Sequence, residues 1–267
     1  MDTWLRSVGY PPSFRDIFER FAELELPIHP VGPTTQVQDV FGFADQSQVN
    51  VAVSTMHDGS MDATVAVWGK GDVRAAVWQL RPGLAEVTVL DEHSPDTKDA
   101  HTITRLLVMV DDPHQYPVHA LDAVGAPYTY SHYWLGAVAI EMAVHESEEA
   151  WRATQTPVLS REQARERFGP DANEIYIGPR FVTSPWLFEV YGGKCSAAEA
   201  NPVAILKAVC REVTLVHNGF TGEPWYRVEA ACGFPITVAL PATITPVPKP
   251  GSVLDGDVLL TGTTRFW

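Results

Sequence analysis

Residues 49–90, VNVAVSTMHDGSMDATVAVWGKGDVRAAVWQLRPGLAEVTVL, decide the fold class of this chain. Val49, Val51 and Val53 alternate with polar or small residues, and Ala63, Val65 and Val67 repeat the pattern after a turn at Asp58-Gly59. A second turn, Gly69-Lys70-Gly71-Asp72, leads into Val73, Ala75 and Val77, and Pro82-Gly83 leads into Val87 and Val89. Strict alternation places every second side chain on one face of a strand. Four short strands joined by tight turns therefore predict an antiparallel meander.

Toward the N-terminus the period changes to that of a helix. Ser13 can cap it, Phe14, Ile17, Phe18, Phe21 and Leu24 share one face, and Pro27 stops it. Residues 27–40, with Pro27, Pro30, Gly32 and Pro33, read as an extended connector. Beyond the meander, residues 91–100 are polar and predict a loop. Residues 103–110 read as a strand closed by Asp111-Asp112-Pro113, although periodicity alone leaves a buried helix open. Val138, Ile140, Met142 and Val144 predict another strand, and Ser147-Glu148-Glu149 opens a short helix through Trp151. Ser160 with Gln163 forms a capping box and Gly169-Pro170 a stop, which sets a helix over 161–168. Ile175 with Ile177, and Trp186 with Phe188 and Val190, suggest two further strands.

In the C-terminal part Val209, Val213 and Leu215 are expected to face one way, with turns at Asn218-Gly219 and Thr221-Gly222 before a hairpin partner over 225–231. Ile236, Val238 and Leu240 make a third strand, and residues 258–260 a fourth after a Pro-rich loop. The closing rhythm from Pro250-Gly251 through Gly256 to Val258, with glycines that bend a strand through a corner, resembles the last strands of OB-like barrels. The expected fold is α+β and β-rich, an antiparallel meander with a few short helices plus a small C-terminal OB-like β-barrel. The expected division is an acidic β-rich α+β domain over 1–194 and the barrel over 195–267.

Of the 267 residues 45% are hydrophobic, too many for a disordered acidic chain. Nineteen Lys+Arg against 33 Asp+Glu give a formal charge of −14, which repels phosphate and argues against nucleic acid as a partner. The charge is uneven. Residues 1–194 carry −13 and residues 195–267 carry −1. The uncharged central stretch 126–140 is broken by Pro127, Ser131 and His132, so no membrane span is expected. No apolar leader-like run follows Met1, which points to the cytoplasm. Three cysteines without C-x-x-C spacing read as reduced thiols rather than a disulfide framework or zinc ribbon.

Tyr128, Tyr130, His132, Tyr133 and Trp134 form the densest aromatic cluster and are the candidate ligand- or partner-binding residues. The same residues also suit a core. His114, His119, His132 and His145 lie near Asp111 and Asp112, but their spacing lacks the paired ligands of a regular metal site, so no metal or cofactor is expected. Cys195 after Gly192-Gly193-Lys194 has a lysine that could lower its pKa, and the glycines could hold an anion through backbone N–H groups. No nucleophile elbow, P-loop or dinucleotide fingerprint is present. These features favour a cytoplasmic, non-catalytic binding or assembly protein that meets a protein partner through its acidic first part, with self-association also open. The alternative is an enzyme acting on a small molecule in an aromatic pocket, with His132 as general acid or base.

Overall fold

The computed structural model describes residues 3–23, 29–31, 37–91, 101–116, 118 and 126–267. It is β-rich, with two sheets and a few short helices. Strands β1 (His29–Val31), β2 (Val37–Ala44), β3 (Val49–Met56) and β4 (Met61–Val67) form an antiparallel four-stranded sheet in chain order. The second sheet contains β5 (Val73–Arg81), β6 (Leu84–Leu90), β7 (Thr102–Val110), β8 (Tyr128–His145), β9 (Phe181–Thr183), β10 (Val203–His217), β11 (Pro224–Ala231), β12 (Pro235–Pro241) and β13 (Val253–Thr263). Helices α1 (Phe14–Glu23), α2 (Glu148–Arg152), α3 (Arg161–Phe168) and α4 (Pro185–Tyr191) decorate them, with 3-10 turns at Thr3–Val8 and Pro113–Gln115.

The expected meander is divided between the two sheets. β3 pairs with β4 and β5 with β6, but the chain leaves the first sheet after Val67 and enters the second at Val73. The glycines between them explain the crossing. A Cβ on Gly69 would fall 2.0 Å from Glu229 Oε1, and one on Gly71 would fall 2.5 Å from Pro235 Cβ. This segment therefore lies flat against β11 and the start of β12 instead of making a hairpin.

In the large sheet β8 pairs with β12 (parallel) and with β13 (antiparallel), while β13, β10, β11 and β12 pair successively, so these five strands form a closed cycle of pairings. Residues 195–267 supply four of them. The fifth, β8, comes from before residue 194. A second cycle runs β8, β5, β6, β7, β13 and shares the β8–β13 pair. Side chains from both cycles, among them Val77, Val87, Val108, Leu135, Leu206, Val228, Val238 and Leu260, gather in the main core. On the opposite face Val138, Ala239 and Leu259 pack with Val49, Val51, Val65 and Val67 of the small sheet and with Leu5, Val8 and Ile17 of the N-terminal helices. The edge of β4 is tied to the large sheet, because Val67 N donates to Thr261 Oγ1 at 3.3 Å.

Four further expectations change, the first being that Ile175 makes only an isolated bridge to Leu159 and Ile177 lies in no strand. Within 27–40, expected as a connector, lie β1 and the start of β2. The segment around Trp186, Phe188 and Val190 is helix α4, not a strand: Pro185 occupies the first helical turn, and the buried residues are Leu187 and Val190, three apart. A bulge between Cys210 and Glu212 separates Val209, which packs on Trp151 and Val253, from Val213, which packs on the main core. Ser13, by contrast, accepts from Asp16 N at the start of α1 as expected, and both bonds of the Ser160–Gln163 capping box are present. Leu24, Pro27, Gly32, Pro33, residues 92–100 and His119 lie outside the described residues.

Candidate functional site

The aromatic run occupies the start of β8, where a bulge sorts it onto two faces. Val73 pairs with Tyr133 and Ala75 with Tyr130, so two β5 residues of like facing meet β8 residues three apart. Tyr133 is fully buried and Tyr130 packs beside it, ring centroids 5.7 Å apart. His132 is turned out, its side chain 73% exposed, with Nδ1 against the Asp72 carboxylate. Trp134 lies under the Arg265 guanidinium at 4.8 Å. Tyr128 is half exposed. The five candidates thus do not share one pocket. The bulge that divides the aromatic cluster has no signature in the residue types.

Behind the run lies a buried polar cluster. Asp112 Oδ1 accepts from Tyr116 Oη at 2.6 Å, and Asp112 Oδ2 accepts from Thr264 N and Thr264 Oγ1 at 2.9 and 2.5 Å. Tyr116 and Tyr133 hydroxyls stand 3.4 Å apart, and burial together with the Asp112 charge pushes both phenols up. Gln79 fixes the Pro113–Gln115 turn by donating to Pro113 O and Tyr116 O at 3.0 and 2.9 Å. His114 is edge-on to Phe266 and Trp267, and burial pushes its imidazole down to about 4. Asp112, Tyr116 and Tyr133 are buried, and the cluster holds loops and the C-terminal residues in place.

The outward face of β5–β7 presents a different arrangement. Register places Trp78 beside Glu86, Ala76 beside Thr88 and Thr88 beside Arg105. Helix α4 covers part of this face, because Leu187 and Val190 pack on Leu80, Leu84 and Leu107, and Ser184 Oγ accepts from Leu107 N at 3.0 Å. What α4 leaves open is a cleft of about 260 Å³ lined by Trp78, Glu86, Thr88, Arg105, Tyr191 and, next to Tyr128, Pro127. Glu86 is almost fully buried yet satisfied. Its Oε1 accepts from Arg105 Nε at 2.6 Å, its Oε2 accepts from Tyr191 Oη, and Arg105 Nη2 donates to the same phenol at 2.8 Å. The guanidinium also lies 4.8 Å from the Tyr191 ring centroid. Burial and the Glu86 hydrogen bond push the Tyr191 phenol up to about 12, so it stays neutral. Sequence reading missed this site because its residues come from three strands and a helix, and none forms a local motif.

The other candidates are dispersed. Cys210 and Cys232 are buried and their thiols are pushed up to about 12, mainly by desolvation. Cys195 is raised as well, by desolvation and then by Glu199 and Glu189, while Lys194 is paired with Glu189 at 3.0 Å. That is the reverse of thiolate activation. The backbone N–H groups of Gly192, Gly193 and Lys194 donate to α4 carbonyls, which occupies the suggested anion nest. Among the described residues no three His, Cys, Asp or Glu side chains are grouped to hold a metal ion, and no helix is long and apolar enough to cross a membrane. No known family model matches the chain, and no curated protein or solved structure is significantly similar to it.

Proposed function

We propose that this chain is a cytoplasmic, non-catalytic binding or assembly protein, and that a protein partner docks at the cleft between α4 and the outer face of β5–β7. The observation that carries the reading is the Glu86–Arg105–Tyr191 network, which holds an arginine and a tyrosine rigid beside Trp78 at an open surface. Trp, Tyr and Arg are the residues on which interface energy concentrates, and side chains already fixed lose little entropy on binding. Phe188 and Tyr191, one turn apart on α4, are 68% and 51% exposed, and Tyr128 adds another exposed ring next to Pro127. All of these residues lie within the acidic first part. The likeness of the C-terminal strands to OB-like barrels would imply an oligonucleotide or oligosaccharide, but that part has only five basic residues, and a protein suits it better.

The test is quantitative affinity capture from the source cells with the wild-type protein and with Trp78→Ala and Phe188→Ala, followed by titration of the purified partner. The expected result is one partner that both variants bind at least about tenfold more weakly, roughly 1.4 kcal/mol. Recovery of the bait alone, or equal recovery by all three, overturns the reading. One contact favours acid–base chemistry instead: Asp72 faces His132 Nδ1, as an orienting carboxylate would. Turnover of a small-molecule ester panel that is lost in His132→Gln would favour that alternative.

A further inference from the structure

Asp111 closes β7 and is wholly buried where the two sheets meet. Its Oδ2 accepts the Nδ2–H of Asn50, on β3, at 2.8 Å. Among the described residues the second oxygen of each side chain, Asp111 Oδ1 and Asn50 Oδ1, is buried without a hydrogen-bond donor in place, although the Thr263 hydroxyl stands near the carboxyl and favours its ionised form. Each such orphan acceptor costs about 1–3 kcal/mol, and an uncompensated buried carboxylate costs far more. A single proton would remove both problems. Placed on Asp111 Oδ1, it turns one orphan into a donor and supplies the other with its missing partner.

We propose that Asp111 is a neutral carboxylic acid at physiological pH, donating from Oδ1 to Asn50 Oδ1, and that this two-bond acid–amide pair is a pH-sensitive seam between the two sheets.

The surroundings agree. On the same loop Asp112 is the adjacent charge, and its three donors, Tyr116 and the Thr264 amide and hydroxyl, select it as the ionised member. Two neighbouring carboxylates in a dry site cannot both ionise. From β8 the neighbour is the neutral Tyr133 phenol, from β13 the Thr263 hydroxyl, and from β3 the Asn50 amide. No cation faces either carboxyl among the described residues. Burial first, and the Asp112 charge second, raise the Asp111 carboxyl well above the ordinary range.

Because the folded pKa is raised, the folded state keeps a proton that the unfolded chain loses above about pH 3.9. The seam's contribution is full below that pH and declines by about tenfold in the folding constant per pH unit, until the folded pKa is passed. Asp111→Asn preserves the shape and both hydrogen bonds without a titrating group. Its folding constant relative to wild type, from denaturant curves, is expected to rise about tenfold per unit from about pH 5 upward. A ratio that is constant or falls with pH overturns the proposal. The wild-type protein gives an independent measurement through infrared spectroscopy at neutral pH, where exposed carboxyls are ionised. A protonated carboxyl band supports the proposal, and its absence overturns it.

Discussion

At Gly136 of β8 the two sheets come into close contact. A Cβ there would fall 2.3 Å from Val67 O and 2.6 Å from Thr261 Oγ1. The first obstacle is backbone of β4, and the second is the hydroxyl that accepts from Val67 N, so neither can yield without parting the sheets. Gly136→Ala is expected to destabilise the fold by about 1–3 kcal/mol through overpacking. A lower denaturant midpoint with an unchanged slope would show it, and a midpoint equal to wild type would contradict it. This role is invisible in the sequence, where Gly136 is one glycine inside an apolar run. The same holds for Asp111: its position before Asp112-Pro113 marks the end of a strand, but nothing local shows that Asn50, sixty-one residues earlier, meets it.

At the scale of elements, legibility depended on whether the determining interaction is local. The α3 capping box was readable because Ser160 and Gln163 are three residues apart and satisfy each other's backbone N–H groups. Its stop, Gly169, takes a positive φ that glycine tolerates. Ser160→Ala is therefore expected to weaken α3 by about 1 kcal/mol, seen as faster amide exchange confined to 161–168, while the strands keep their protection. Uniform loss of protection would show instead that α3 is coupled to the whole fold. α4 was misread because Trp186, Phe188 and Val190 mimic a strand's period of two. The burial that decides the matter comes from Leu80, Leu84 and Leu107, which lie far away in sequence. The division of the β8 aromatic run onto two faces is illegible for the same reason, since its bulge is fixed by pairing with β5. The cleft beside α4 was hidden on both counts.

Across the whole molecule, the charge and the strand pairing divide the chain differently. Nearly all of the −14 lies before residue 195, yet β8 from that part pairs with β12 and β13 from the other. Both cycles of pairing contain β8 and β13, so neither can close if those two strands separate. Strands 73–110 and strands 203–241 should then lose their order together, although the sequence pattern alone suggested two units joined near 194. The expected outcome is one cooperative unfolding transition, with circular dichroism and tryptophan fluorescence coincident. Amides at the centre of β8 and β13 should exchange only through global unfolding, and those of β9, at the sheet edge, by smaller openings. Gly256→Ala attacks the shared pair directly, since its Cβ would fall 2.1 Å from Glu141 O on β8. That variant should lower the single midpoint without splitting it. Two resolved transitions, with only the C-terminal strands shifted by Gly256→Ala, would instead establish the parts on either side of residue 194 as independent units of stability.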